Sequence, residues 1–252
     1  MRISTRNARF QQLEALLGNR TKRHRAQEFL VQGVRPITMA AQHRWPVTSV
    51  LVAADRRLSA WALEVLATVD GPVVEMAPEL LAELGEQEAA PELLLVCRIP
   101  PDDLGRVSGD LLVVLDRPSS PGNLGTVIRS ADAFGASGVV VSGHAADPYD
   151  PQAVRATTGS LFALPTVRVP GPFAFDGQLV GLDESGDRLL HEVDLRGPVG
   201  LVIGNEKSGL SEAWREACQV IARIPIGGSA SSLNAANAAT VALYETARQR
   251  RP

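Results

Sequence analysis

The chain has 252 residues, 45% of them hydrophobic, and a formal net charge of -3 at pH 7. This length can bury one large core or two modest ones, and the composition excludes a disordered chain and a uniformly cationic nucleic-acid binder. No apolar run approaches the roughly 18 residues of a membrane span, and the first residues lack the apolar core of a secretory signal, so we expect a cytoplasmic protein that binds no membrane.

A basic cluster lies at the start of the chain, where a first helix is predicted over residues 6–17. Residues 1–25 contain six arginines and one lysine against a single acid, Glu14. Such a cluster attracts phosphate groups even in a mildly acidic protein, because salt confines the reach of distant charges to about 10 Å. A solubilising, frayed terminus fits the same charges equally well. RNA contact and a solvated terminus therefore both stay open on charge alone.

The apolar pattern predicts two domains. Short β-rich and helix-like runs alternate over residues 1–100, which predicts a small α/β domain. Prolines, glycines and charges interrupt the pattern at residues 101–109, which predicts a linker. A second alternation fills residues 110–252, and its continuous apolar runs are typical of strands covered on both faces, so we predict a mostly parallel sheet. The strands predicted in this part are the runs at 110–116, 138–143, 165–169, 179–184, 200–206 and 220–226.

Ligands of parallel α/β sheets bind beyond the carboxyl ends of the strands, so residues just after each apolar run are candidates for a site. The first such place is the segment LDRPSSPGNLGTVIR, where Leu115 ends a strand and Asn123 starts a helix. Arg129 follows Asn123 by close to two helical turns, so both side chains can face the same region. The pair fits a plain helix cap and a surface cation as well.

The second place is the segment GNEKSGL, residues 204–210, which directly follows an apolar strand. Glu206 lies here between Gly204 and Gly209, a setting that suits either a closely approaching ligand or a solvated loop. The segment lacks the Gly-x-x-x-x-Gly-Lys spacing, which excludes a P-loop.

The third place is the segment IPIGGSASSLNAANAATVALYE near the end of the chain. We predict a strand that ends at Ile226, a last helix capped by Ser231 or Ser232, and Asn234 pointing out of its first turn. Asn237, deeper in the helix, is predicted to be a buried, satisfied amide. The run GGSAS lacks the second glycine of a nucleophile elbow, which argues against a serine hydrolase.

In this order, the three segments resemble the signature of the SpoU (TrmH-like) RNA ribose methyltransferases, within the larger class of knotted (SPOUT) methyltransferases. The resemblance covers residues 108–252. Residues 25–41 are similar to the ribosomal-protein-like RNA-binding domain often attached to these enzymes. The resemblance implies an RNA substrate-binding domain over 1–100 and a methyltransferase domain over 110–252, whose last helix folds back through a loop to form a deep trefoil knot. It also implies a homodimer.

The resemblance further implies S-adenosylmethionine as the cofactor and assigns roles to individual residues. Those matching the cofactor-binding positions are Gly204, Ile224, Leu233 and Asn234. Those matching the catalytic positions are Asn123, Arg129, Glu206, Ser232 and Asn234. Arg129 matches the proposed base of the family, but a guanidinium stays protonated, so we expect it to hold a phosphate and stabilise the developing alkoxide. The expected RNA contacts are Arg20, Lys22, Arg23, Arg25 and Arg129.

We expect no metal site, because Cys97, Cys218 and the 4 histidines show no ligand spacing. The attached N-terminal domain favours 23S ribosomal RNA as the substrate, with transfer RNA as the alternative. A catalytically idle RNA-binding or ribosome-assembly factor should have lost Asn123, Arg129 or Asn234, and all three are present. A nucleotide-binding oxidoreductase should carry Gly-x-Gly-x-x-Gly after the first strand of its sheet, and the chain does not.

Overall fold

The computed structural model describes residues 1–251; Pro252, with which the predicted second domain ends, lies outside the described residues. The chain forms two compact units. The first consists of Met1–Pro100 and Tyr149–Ala163, and the second of Pro101–Pro148 and the residues from Leu164 onward. Within residues 1–251, none of the helices combines the length and the apolar character that crossing a membrane requires.

Strands and helices alternate along the chain. The strands are β1 (Arg2–Ile3), β2 (Glu28–Val31), β3 (Val47–Ala53), β4 (Val73–Met76), β5 (Leu93–Arg98), β6 (Leu111–Asp116), β7 (Gly138–Ser142), β8 (Thr166–Val169), β9 (Gln178–Leu182), β10 (Arg188–Leu189), β11 (Val199–Ile203) and β12 (Val220–Arg223). The helices are α1 (Ala8–Gly18), α2 (Arg20–Ala26), α3 (Val34–Gln42), α4 (Ala60–Thr68), α5 (Pro78–Leu84), α6 (Pro121–Ala133), α7 (Pro151–Thr157), α8 (Ser160–Ala163), α9 (Glu212–Ala217) and α10 (Ala235–Arg250).

The first unit is built on a mixed sheet in the order β1-β4-β3-β5-β2, in which β5 runs antiparallel to both of its neighbours. Helix α1 packs on this sheet through Phe10, Leu13 and Leu16, which recur every three residues and are buried together in one core cluster. It begins two residues later than predicted because the Asn7 side chain caps it, accepting the backbone N–H of Phe10 at 3.0 Å.

The segment Tyr149–Ala163 belongs to the first unit, whereas the sequence pattern placed it in the second domain. Aromatic packing accounts for the difference. The ring of Phe29 on β2 lies 4.9 Å from Tyr149 and 6.3 Å from Phe162, measured between centroids. Trp45 meets Phe162 edge-on at 5.1 Å. The segment therefore completes the core of the first unit although the chain reaches it only after β7.

Residues 101–109, predicted to be a linker, are folded as part of the second unit. They contain a short 3-10 helix, Leu104–Arg106, and the buried side chain of Val107 contributes to the core cluster of that unit. The Asp102 carboxylate accepts hydrogen bonds from the backbone N–H and the guanidinium of Arg168 at 2.6–3.0 Å. The prolines and glycines thus mark an ordered turn rather than a free connection.

The second unit contains a sheet of parallel strands in the order β10-β12-β9-β11-β6-β7-β8, which confirms the predicted parallel sheet. Each predicted strand is present, although β12 ends at Arg223 rather than Ile226. The two-residue strand β10 was missed because it carries no apolar run. Helix α10 packs against α6 and β11 with a face of small side chains. Those buried residues are Ala236, Ala239, Ala242, Leu243 and Thr246.

Arg23, one of the expected RNA contacts, is buried inside the first unit with only 2% of its side chain exposed. Its guanidinium donates to the carbonyl oxygens of Leu16 and Leu17, each at 2.9 Å, and forms an ion pair with Asp150 at 3.2 Å. It thereby satisfies carbonyls that the end of α1 leaves without helical partners. A guanidinium held in this way is not available to a phosphate, so the expectation for Arg23 was wrong.

We predict that Arg23→Met lowers the free energy of unfolding by about 3 kcal/mol, because it leaves Asp150 and two carbonyls without their buried donor. Urea denaturation of the variant and the wild type measures the difference. Arg57→Met is the control, since Arg57 is exposed and has no partner among residues 1–251. Equal stability of the two variants would contradict the structural role of Arg23.

Candidate active site

A cavity of about 370 Å³ lies at the carboxyl ends of β9, β11 and β12 in the second unit. Its lining comes from three stretches, within residues 182–184, 203–209 and 222–238. The structure therefore brings together two segments that the sequence analysis treated separately, the one after β11 and the one before α10. The sequence-predicted site residues that line it are Gly204, Glu206, Ile224, Ser232 and Leu233.

The Glu206 carboxylate connects the loop after β11 to the start of α6. It accepts hydrogen bonds from the Ser119 backbone N–H at 2.9 Å and the Ser119 hydroxyl at 2.7 Å. It also accepts one from the Ser120 N–H at 3.3 Å and one from the Asn123 side-chain amide at 3.0 Å. These donors belong to the segment that follows β6, the strand beside β11 in the sheet. Two neighbouring strand ends are thus held together by one side chain.

Asn123 links the Glu206 carboxylate to the last helix, α10, by a further hydrogen bond. Its Oδ1 accepts a hydrogen bond from the side-chain amide of Asn234 at 3.2 Å. The Oδ1 of Asn234 in turn accepts the backbone N–H groups of Ala236 at 2.9 Å and Asn237 at 3.3 Å, so Asn234 is the N-cap of α10. Glu206, Asn123 and Asn234 therefore form one continuous chain of hydrogen bonds, which we call the Glu206–Asn234 relay.

Two local predictions at these helix starts were wrong, and one of the alternatives left open for Asn123 is excluded. Asn234, rather than Ser231 or Ser232, caps α10, a position where asparagine is favoured. Asn237 is exposed rather than buried. Asn123 is not a cap, because the Ser120 hydroxyl accepts the Asn123 N–H and caps α6. The Asn123 side chain is consequently free for the relay.

The pKa of Glu206 is lowered to about 2 from an ordinary value of 4.5. Burial of the carboxylate would raise this pKa, but the hydrogen bonds from the Ser119 backbone, the Asn123 amide and the Ser119 hydroxyl outweigh the burial. Glu206 is therefore ionised at neutral pH. An ionised carboxylate that already accepts several hydrogen bonds serves to orient its donors rather than to take up a proton.

Sequence analysis missed a second connection beneath the same loop, at Asp116 and Arg117. The Arg117 guanidinium contacts both oxygens of buried Asp116, at 3.0 and 3.2 Å, and donates to the Gly209 carbonyl at 3.2 Å. Asp116 accepts the Ser211 N–H at 2.6 Å, and the Asn205 side-chain amide donates to the Arg117 carbonyl at 2.6 Å. The sequence signal that could have revealed this connection is Asp116, a charged residue at the end of a continuous apolar strand.

The packing of the loop after β11 requires a glycine at position 204. A Cβ at this position would lie 2.4 Å from the Gly209 carbonyl carbon and 2.5 Å from the Leu210 nitrogen. The two sides of the loop therefore run in direct backbone contact, and any side chain at residue 204 would push them apart. Gly204 therefore contributes only main chain to the cavity wall.

Arg129 lies on the exposed surface of α6, two turns after Asn123. Its guanidinium has no hydrogen-bond or ion-pair partner among residues 1–251. By contrast, Arg196 of the same unit is paired with Asp194. The position and the unpaired charge of Arg129 leave it available to an anionic ligand.

The remaining predicted RNA contacts, Arg20, Lys22 and Arg25, lie on α2 of the first unit. The side chains of Lys22 and Arg25 are exposed and that of Arg20 is half-buried. Residues 1–251 contain no group of three or more histidine, cysteine, aspartate or glutamate side chains placed to hold a metal ion.

Comparison with known protein families gives two matches on this chain. The model of the SpoU rRNA methylase family matches residues 110–244, and that of the SpoU L30e-like domain matches residues 7–95. A 23S rRNA (uridine(2479)-2'-O)-methyltransferase of Streptomyces viridochromogenes is 56% identical over 99% of this chain and 92% of its own length.

Solved structures with the same fold include SpoU methyltransferases. The crystal structure of AviRb from Streptomyces viridochromogenes in complex with the cofactor AdoMet is similar, with a TM-score of 0.92 and 55% identity over 97% of this chain and 98% of that one. An AdoMet-bound rRNA methyltransferase from Sinorhizobium meliloti has a TM-score of 0.87 and 27% identity over 100% of this chain and 99% of that one.

We predict that the stabilising contribution of the Glu206 carboxylate depends on pH. Because its folded pKa of about 2 lies below the ordinary 4.5, the contribution is complete above about pH 5 and is lost as the pH falls toward 2. Wild type should exceed Glu206→Gln in unfolding free energy by about 1 kcal/mol at pH 7, a value reduced by solvent screening, and by almost nothing at pH 2. Denaturant titrations across this range measure the difference.

The control is Glu216→Gln, which removes an exposed glutamate without a partner among residues 1–251. Its difference from wild type should stay constant from pH 7 to pH 2. A Glu206→Gln difference that also stayed constant would show that the hydrogen bonds do not favour the ionised carboxylate.

Proposed function

The chain belongs to the SpoU rRNA methylase family, and on that premise we propose that it transfers a methyl group from S-adenosylmethionine to the 2'-hydroxyl of a ribose in 23S ribosomal RNA. The 23S rRNA methyltransferase that is 56% identical over nearly the whole chain supports this substrate. The Glu206–Asn234 relay at the rim of the cavity carries the proposal, because it joins all three signature segments of the family. The nucleotide is the equivalent of the uridine 2479 for which that relative is named.

S-adenosylmethionine fits the cavity in the second unit. The family residues Gly204, Ile224 and Leu233 line it, and the close backbone contact of Gly204 with Gly209 presents main chain to a ligand. The volume of about 370 Å³ lies within the usual range for small-molecule sites. When bound, this cofactor supplies an electrophilic methyl group attached to a sulfonium. The loop after β11, which hydrogen bonds of Glu206 and Arg117 hold in place, would keep the cofactor in this cavity.

The side chains of the relay and Arg129 serve the ribose. Asn123 is oriented by Glu206 and Asn234, so its amide is fixed before the RNA arrives. Arg129 binds the phosphate beside the target ribose and stabilises the developing alkoxide. The hydroxyl proton leaves to that phosphate or to water. Glu206 is in this scheme a positioning residue, since its carboxylate remains ionised and occupied by donors.

The first unit binds the RNA that carries the target nucleotide. Its match to the SpoU L30e-like domain over residues 7–95 supports this role. Among the basic residues of α2, Arg20, Lys22 and Arg25 supply the phosphate contacts, whereas Arg23 is occupied within the unit. We therefore propose a division of labour in which the first unit binds substrate RNA and the second holds the cofactor, in a protein that acts on ribosomal RNA in the cytoplasm.

A trefoil knot encloses the cofactor site in this proposal. The chain leaves β12 near the sheet edge, contributes residues 224–233 to the wall of the cavity, and then enters α10, which packs back on α6 and β11. The last helix thus returns to α6, which lies much earlier in the chain, and this return is compatible with threading through a loop. Knots are otherwise nearly absent from proteins.

The protein acts as a homodimer, with the exposed face of α10 as the contact surface. The small side chains of α10, which would also suit close packing between copies, are used within the chain, against α6 and β11. The opposite face exposes Val241 and Tyr244, and the Phe134 ring meets Tyr244 edge-on at 6.2 Å between centroids. An exposed aromatic and aliphatic patch of this kind is typical of an interface between subunits.

We predict that Arg129→Ala folds and binds S-adenosylmethionine with near-normal affinity but transfers methyl groups about 100-fold more slowly, the usual loss when one preorganised charge is removed. Arg129→Lys should recover little, because a point charge does not replace a bidentate fork. Calorimetric titration with the cofactor and single-turnover methylation of 23S rRNA measure the two effects. Arg196→Ala, which removes an exposed arginine of the same unit, is the control. Loss of cofactor binding in Arg129→Ala would refute the assigned role.

We predict that the double variant Val241→Asp/Tyr244→Asp is a monomer at micromolar concentration, because two charges would be desolvated in the contact surface. Sedimentation velocity gives the oligomeric state directly. Val73→Asp introduces a charge at an exposed apolar position of the first unit and should leave the dimer intact. A wild-type protein that sediments as a monomer with full activity would overturn the homodimer.

A further inference from the structure

A second cavity, of about 720 Å³, lies within the first unit between α1 and the segment formed by α2 and the start of β2. The buried side chains of Leu13 and Leu16 form an apolar part of its lining. Polar side chains of both helices and of the first residue of β2 complete the lining; they are Arg9, Gln11, Gln12, Lys22, Arg25 and Glu28. The cavity is separate from the cofactor site and has about twice its volume.

The charge around this cavity is net positive. Three of its lining residues are cationic and one, Glu28, is acidic. Lys22 and Arg25 are exposed, and their side chains have no ion pair or hydrogen bond among residues 1–251. Other arginines of the same unit are paired with acids, and these pairs are Arg6–Glu83, Arg23–Asp150 and Arg155–Glu86. Two unpaired cations, Lys22 and Arg25, therefore line a cavity that has space for a ligand.

Arg9 differs from Lys22 and Arg25 because neutral groups hold its guanidinium in place. It donates to the Ser49 hydroxyl at 3.2 Å and to the Gln12 side-chain oxygen at 3.4 Å. Both partners leave the positive charge unneutralised and restrict the orientation of the guanidinium plane. A guanidinium plane is a surface on which an unstacked base can lie.

We propose that this cavity binds one unpaired nucleotide of the substrate RNA, with the base between α1 and α2 and the phosphate on Lys22 and Arg25. The proposal rests on the proposed function, which supplies RNA as the ligand. The apolar lining and the plane of Arg9 accept the base, and the exposed amides of Gln11 and Gln12 can bond to its edge. The volume suits a single nucleotide, and a duplex would keep its bases stacked out of reach.

The test fills the cavity and, separately, removes its charge. Ala15 lines the cavity from α1, so Ala15→Trp obstructs it, with Ala67→Trp on the exposed surface of α4 as the matched control. Lys22→Ala/Arg25→Ala removes the charge, with Arg57→Ala as its control. Fluorescence anisotropy measures the binding of the full-length protein to single-stranded RNA of about eight nucleotides and to a duplex of the same length, over a series of salt concentrations.

Ala15→Trp should weaken single-strand binding at least about tenfold at an unchanged salt slope, because it removes space for the base and no charge. The double alanine variant should weaken binding and reduce the salt slope for single strands by about 1.4, about 0.7 for each lost cation. Both variants should bind S-adenosylmethionine as the wild type does. Equal single-strand affinities for Ala15→Trp and Ala67→Trp, or a wild type that prefers duplex, would overturn the proposal.

Methylation of 23S rRNA by the wild type is measured alongside the binding series. A wild type that binds single strands through this cavity but methylates no ribosomal RNA would refute the proposed substrate and leave the cavity as a nucleotide site. A wild type that methylates 23S rRNA while Ala15→Trp binds single strands normally would refute the cavity alone.

Discussion

The geometry of the active site depends on the hydrogen bonds to the Glu206 carboxylate. Strands β6 and β11 are parallel neighbours, so the segments that follow them emerge at the same edge of the sheet, but the sheet does not fix how those segments lie against each other. Glu206 fixes their relative position, because its carboxylate accepts hydrogen bonds from Ser119, Ser120 and Asn123. Through Asn123 the same constraint reaches Asn234 and sets the first turn of α10.

Polar residues without a direct part in methyl transfer also shape the site. Asp116 is almost fully buried, and its charge is compensated by Arg117 and by the Ser211 N–H. Arg117 adopts a left-handed backbone conformation, with a φ of 53°, that a non-glycine residue adopts only where the surroundings require it. The loop around Gly204 is thus held from below by this pair and from the side by Glu206. Groups preorganised in this way need little rearrangement when the cofactor and the RNA bind.

The sequence predicted the parts of the fold that depend on local pattern. Continuous apolar runs identified every parallel strand from β6 to β12 except the two-residue β10, and polar residues just after them identified Glu206 and Asn123. Features decided by contacts distant in sequence were not predictable. Asn234 rather than a serine caps α10 because Asn123 holds its amide, and Arg23 is buried because Asp150 and the end of α1 surround it. A count of charges gives no information on which of four neighbouring cations is enclosed.

The membership of Tyr149–Ala163 in the first unit has a consequence for how such a protein can be divided or recombined. The chain passes from one unit to the other three times, after residues 100, 148 and 163. A fragment that stops at residue 100 would lack Tyr149 and Phe162 and leave the ring of Phe29 uncovered. Exchange of substrate-binding modules between relatives therefore requires two segments to be replaced together, at three junctions. A gene fusion made at the apparent boundary alone would have an incomplete core.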